Sequence, residues 1–140
     1  MTRQSTSRHG IGNFSAWVLS LLLTLAFMIA ALPKLVGAHV WIVKFIKWGY
    51  PRWFLFAVGS LELVGAALLL IPRLAKYGAI VLAVVMVGAG YTHLANGEGL
   101  QVLRPLIFLT VLGMVFWLRS PTRINSRVAP NAVEDLRSAP

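Results

Sequence analysis

The stretch AVGSLELVGAALLLIP, Ala57–Pro72, is apolar nearly throughout and carries one carboxylate, Glu62, in its middle. An apolar run of about 20 residues is long enough to cross a bilayer. Glu62 stands ten residues after Arg52 and ten before Pro72. At a rise of about 1.5 Å per helical residue, that is about 15 Å from either end, near the midplane. A charge at that depth costs about 3 kcal/mol on insertion scales. The carboxyl must be protonated or given a partner. Positions three and four away are Val58, Gly59, Gly65 and Ala66, mostly small, so a neighbouring helix can come close on that face. Glu62 is therefore expected to point into a bundle and away from lipid.

The rest of the chain supplies the other helices. Its 140 residues are one domain by length, 58% hydrophobic and only 12% charged, with a mean hydropathy of +0.76. Four apolar runs stand out: Phe14–Leu32, Trp53–Ile71, Leu74–Ala95 and Val102–Leu118. The first has nineteen residues without a charge and ends in ALPKL. A signal peptide has a shorter core and a small-x-small cleavage site, so this run reads as a retained helix. The Gly-rich turn Asn96–Gln101 separates the last two runs. Residues 1–13 read as a polar N-terminal tail, 14–119 as a four-helix membrane domain, and 120–140 as a polar, partly disordered C-terminal tail. The fold class is an all-α membrane protein, a four-transmembrane-helix bundle.

Composition also excludes functions. There is no Cys, so the chain alone builds no disulfide, iron–sulfur cluster or CxxC pair. Three His, at positions 9, 39 and 93, argue against a multi-His metal site, and no metal or haem is expected. The net charge of +9 falls between the hydrophobic runs and not in one patch, which points to membrane flanks and away from nucleic acid. Arg3, Arg8, Arg73, Lys76, Arg119, Arg123, Arg127 and Arg137 fall on the side of the termini. Lys34, Lys44, Lys47, Arg52 and Arg104 fall on the other. The excess places both termini in the cytoplasm, in a bacterial-type cytoplasmic (inner) membrane.

VGAHVWIVKFIKWGYPRW, between the first two spans, carries Trp41, Trp48, Tyr50 and Trp53, with Lys44 and Lys47 on one helix face. It is too short to span. It reads as a short interfacial or re-entrant helix anchored by its Trp residues, or more plainly as an aromatic belt.

Each span brings one ionisable group toward the half of the membrane away from the termini: Lys34 just past Pro33, Glu62, His93 near the end of the third run, and Arg104 early in the fourth. They form a candidate buried polar cluster or ligand-binding site. Lys34, His93 or both are expected to stabilise Glu62, with Arg104 a more exposed neighbour. The plainer readings are that Lys34 and Arg104 snorkel to the interface, that His93 is a structural hydrogen-bond donor, and that Glu62 is neutral.

The ordered set LPKLVG (32–37), WGYP (48–51), LELVGAALLLIP (61–72) and MVGAGYTHL (86–94) resembles the DoxX-like family of small integral membrane proteins. The resemblance rests on Lys34, Gly49, Pro51, Glu62, Gly65, Ala89 and His93. It implies a four-helix membrane protein. Some members of the family are named as membrane subunits of a thiosulfate:quinone oxidoreductase or as partners in oxidative-stress complexes, and distant eukaryotic ones as assembly chaperones. The chain departs from a self-contained oxidoreductase, having no Cys and no haem or metal ligand pair.

Two functions follow as expectations. One is a membrane subunit that binds a lipophilic, quinone-like ligand or serves a redox partner, with Glu62 and His93 handling protons. The other is a non-enzymatic assembly or chaperone-like protein that binds other transmembrane helices. A small transporter is weaker, because no half is repeated. Leftover small-residue faces, such as Ala79, Ala83 and Gly90, predict self-association as a homodimer or contact with a membrane protein partner.

Overall fold

Pro72 and Arg73 end the opening stretch, and the backbone there makes a tight turn in which Leu74 N–H donates to Ile71 O (2.9 Å). Proline suits the second position of such a turn because its φ is already set. The computed structural model describes residues 7–119, with side chains from residue 14 onward. Among them are α1 (Ser7–Leu35), α2 (His39–Lys47), α3 (Arg52–Leu70), α4 (Ala75–Ala95) and α5 (Leu103–Arg119), with a 3-10 turn at Gly99–Val102. The described residues contain no strand. α1, α3, α4 and α5 are long and apolar enough to cross a membrane, and α2, with nine residues, is not. The all-α, four-span reading of the sequence is met.

α1 begins at Ser7, ahead of the Phe14 expected from hydropathy, and runs through Pro33 to Leu35. The tail expected over residues 1–13 is thus helical from Ser7, because hydropathy marks where lipid begins and not where backbone hydrogen bonding begins. The tail expected over 120–140 lies outside the described residues.

α1 packs on α3, α3 on α4, α4 on α5, and α5 returns to α1. Lipid tails are as apolar as Leu, so apolar burial alone gives these helices no reason to associate; close packing and interhelical hydrogen bonds do. Leu23, Phe27, Leu69, Leu82, Leu112 and Val115 fill the centre. The closest approach is between α3 and α4. A Cβ on Gly78 would stand 2.7 Å from Gly65 O, and one on Gly65 would stand 2.6 Å from Leu82 Cγ. Thr24 Oγ1 on α1 donates across the interface to Ala66 O (3.1 Å), besides its own-helix bond to Ser20 O (2.8 Å).

Tight glycine caps shape the end of the bundle that holds α2. Gly49 (φ 83) closes α2: Tyr50 N–H donates to Phe45 O and Gly49 N–H to Ile46 O. Gly97 (φ 72) closes α4 in the same way, with Glu98 N–H on His93 O and Gly97 N–H on Leu94 O. A Cβ would have room at both positions, so the left-handed backbone alone explains the glycines. The cap at Gly97 sets Glu98 beside His93.

Candidate functional site

Lys34 is held where α1 crosses α3. Gly59 makes room for it: a Cβ there would be 3.1 Å from Lys34 Cβ and 3.2 Å from Leu35 Cγ. Gly59 lies three residues before Glu62 on the same face of α3, so the lysine chain laid over it runs on to the carboxylate. Lys34 Nζ donates to Glu62 Oε2 (2.6 Å), Glu62 Oε1 (2.9 Å) and Ala30 O (3.0 Å). Both side chains are almost fully enclosed, at 7% and 4% exposure. The Trp41 ring of α2 covers the ammonium, 4.8 Å from its centroid.

The structure does not bring His93 or Arg104 to this pair. His93 Nδ1 meets Glu98 Oε2 at 2.8 Å, and Arg104 is exposed in the first turn of α5. The reason is the cap at Gly97, which turns the chain back at the end of α4 and offers His93 a nearer acid. A polar cluster has formed around that second pair. Trp48 Nε1 donates to Glu98 Oε1 (3.4 Å), and its ring stands edge-on to His93 at 5.2 Å. Tyr50 and Thr92 share a 2.8 Å hydrogen bond, and Asn96 Nδ2 donates to Thr92 O. The His93 hydrogen bond holds the Glu98 carboxyl below its ordinary range, against some desolvation, with Trp48 Nε1 and the Lys44 charge adding to it. Partial exposure, 13% for His93 and 18% for Glu98, distinguishes this pair from the sealed one.

Glu98, Trp48 and Trp41 are the residues that reading the sequence for a site did not single out. A signal for Glu98 was present. Asn96-Gly97 after an apolar run marks a helix C-terminus, and the residue after such a glycine contacts the one five positions back, which here is His93.

Four apolar spanning helices, a lipid-facing exterior and one buried ion pair define a small integral membrane protein. The DoxX-like family model matches residues 18–115, most of the chain and all four spans. The chain belongs to the DoxX-like family. No curated protein and no solved structure matches it significantly.

Proposed function

We propose that this chain is a non-enzymatic membrane interaction protein that binds other transmembrane helices, with the Lys34–Glu62 pair fixing its own bundle. The observation that carries the reading is the saturation of that pair. An ammonium has three N–H donors, and Lys34 Nζ has three acceptors around it, in Ala30 O and the two Glu62 oxygens. A carboxylate that passes protons to a ligand must touch it, and Glu62 is enclosed by protein on every side. The exterior supports the same reading. Gly88 on α4 and Gly113 on α5 have nothing within 4 Å of where a Cβ would stand, so another helix can approach closely at either. Self-association as a two-fold dimer is part of this proposal. Its test is a detergent-corrected mass in several mild detergents, for the native chain and for Gly88→Leu and Gly113→Leu. A dimer weakened by either substitution supports it, and monomer in every detergent refutes it. The excess of Lys and Arg near the termini supports a cytoplasmic location for both, in a bacterial-type inner membrane.

The partly open His93–Glu98 pair favours a second reading, a quinone-like ligand or redox-partner site at the interface. The His93 ring and the polar hydrogens of Tyr50 and Trp48 stand together there. Of the groups expected to serve such a ligand, Glu62 does not fit, for the reason above. A lipid extract of the purified protein separates the readings. A stoichiometric quinone that disappears in His93→Phe favours the second, and its absence from the native protein favours the first.

A further inference from the structure

Glu62 and Glu98 are the only acids among the residues whose side chains are described, and each is already engaged within the chain. Every other cation of the membrane domain must find its counter-charge elsewhere. At the end of α3 and α5 away from α2, the chain partly meets this need. Lys76 lies over the Tyr77 ring at 4.9 Å, and Arg119 donates to Ser20 Oγ (3.2 Å) over the Trp17 ring. At the α2 end Lys44 lies over the Trp48 and Trp41 rings, but Lys47, Arg52 and Arg104 are exposed. Beside them runs an apolar stripe at helical spacing. Val40, Val43 and Ile46 on α2 are each half or more exposed, as is Val36 in the turn that precedes it, and Trp53 next to Arg52 is 66% exposed. A short helix with an apolar stripe, flanking aromatics and unneutralised cations is built to lie in a leaflet with its charges at phosphate level.

We infer that α2 and the start of α3 form a docking surface for the headgroups of anionic phospholipids in the leaflet at that end, with Lys47 and Arg52 as the principal contacts and Lys44 held beside them by Trp41 and Trp48. The apolar stripe sets the depth of α2. Among the described residues the one acid at this end is Glu98, already bonded to His93 and Trp48, so the lysine- and arginine-bearing turns are left to meet phosphates. A zwitterionic lipid offers the same phosphate with its own cation attached, so the surface prefers a net negative headgroup.

The experiment uses the full chain reconstituted in phosphatidylcholine bilayers, with spin-labelled phosphatidylglycerol or phosphatidylcholine as the probe. The measured quantity is the relative association constant of the two labels with the protein. The expected preference for phosphatidylglycerol is up to about fivefold for each cation engaged at the surface. It should fall toward unity in Lys47→Gln/Arg52→Gln, which leaves the Lys44 stack intact, and should persist in Arg73→Gln/Lys76→Gln at the other end. Raising salt from 0.1 to 1 M shortens the screening length from about 10 to about 3 Å and should erase most of it. Circular dichroism and the thermal midpoint confirm that both variants are folded. Equal association of the two lipids with the native protein overturns the inference. So does a preference that survives Lys47→Gln/Arg52→Gln, or one lost equally from either end.

Discussion

Replacing Glu62 by Leu leaves the Lys34 ammonium under Trp41 with a single backbone acceptor, Ala30 O. Removing one member of a buried pair typically costs about 3–5 kcal/mol, because the survivor stays buried and uncompensated. The two single substitutions should not cost the same. Lys34 sits near the end of α1 on a long flexible stem, so in Glu62→Leu it can swing toward the interface and the cost falls near 3 kcal/mol. In Lys34→Met, Glu62 is left enclosed on a short stem that cannot reach the interface, so the cost lies nearer 4–5 kcal/mol. The double variant Lys34→Met/Glu62→Leu keeps volume and removes both charges, and it should be within about 1 kcal/mol of the native protein, or more stable. Glu62→Gln is intermediate, at about 1.5–3 kcal/mol, since its amide oxygen still accepts from Nζ while its NH2 group faces a donor. Unfolding by sodium dodecyl sulfate in mixed micelles measures all four, and the double-mutant cycle gives the coupling between Lys34 and Glu62. Additive losses, with the double variant as damaged as the sum of the singles, would refute the structural role of the pair. A double variant that is stable and self-associated but no longer holds its ligand or partner would return the pair to a functional role.

Gly78→Ala should destabilise the bundle by about 1–3 kcal/mol, since the new methyl group would press on the Gly65 and Leu69 backbone, while Gly99→Ala, with open space around it, should leave the unfolding midpoint near the native one. Glu98→Gln isolates the contribution of the second pair through pH. A carboxyl held below its ordinary value contributes stability that is complete above the unfolded-state pKa and is lost as pH falls through the lower, folded-state one. The thermal midpoints of native protein and Glu98→Gln should therefore differ at pH 6 and converge in the acid range, below the ordinary 4.5 of the free carboxyl; a constant difference throughout would contradict the assignment. Single cysteines placed at Asn96 and at Arg73 in this cysteine-free chain should react with an impermeant reagent from opposite sides of the membrane, Asn96 from outside.

The fold was legible because hydropathy and length decide which segments can span a bilayer, and four such runs are hard to misread. Glu62 was legible as a problem for the same reason, since a carboxylate inside an apolar run needs a partner. Its environment was partly readable too: Gly59 and Gly65 announced close packing on its face, and Lys34 followed a proline near a helix end. What sequence spacing does not give is the rotation and relative depth of helices that meet only in three dimensions. That is why His93, expected beside Glu62, serves a different acid, Glu98. A local motif, the glycine cap at Gly97, decided its partner. The start of α1 escaped prediction because helical hydrogen bonding continues through polar residues that hydropathy excludes.

The Lys34–Glu62 pair also bears on how the chain enters the bilayer. The two residues belong to successive spans, and Lys34 leaves the ribosome 28 residues ahead of Glu62. An isolated α3 segment would carry its carboxylate into the membrane alone, at about 3 kcal/mol on the translocon scale. With α1 still beside the insertion machinery, the acid meets its base before either faces lipid, and the two helices can leave as a neutralised hairpin. Insertion of α3 is then contingent on α1, the span before it, so losing Lys34 should appear first as a topology defect during synthesis, before any effect on the finished bundle can be measured.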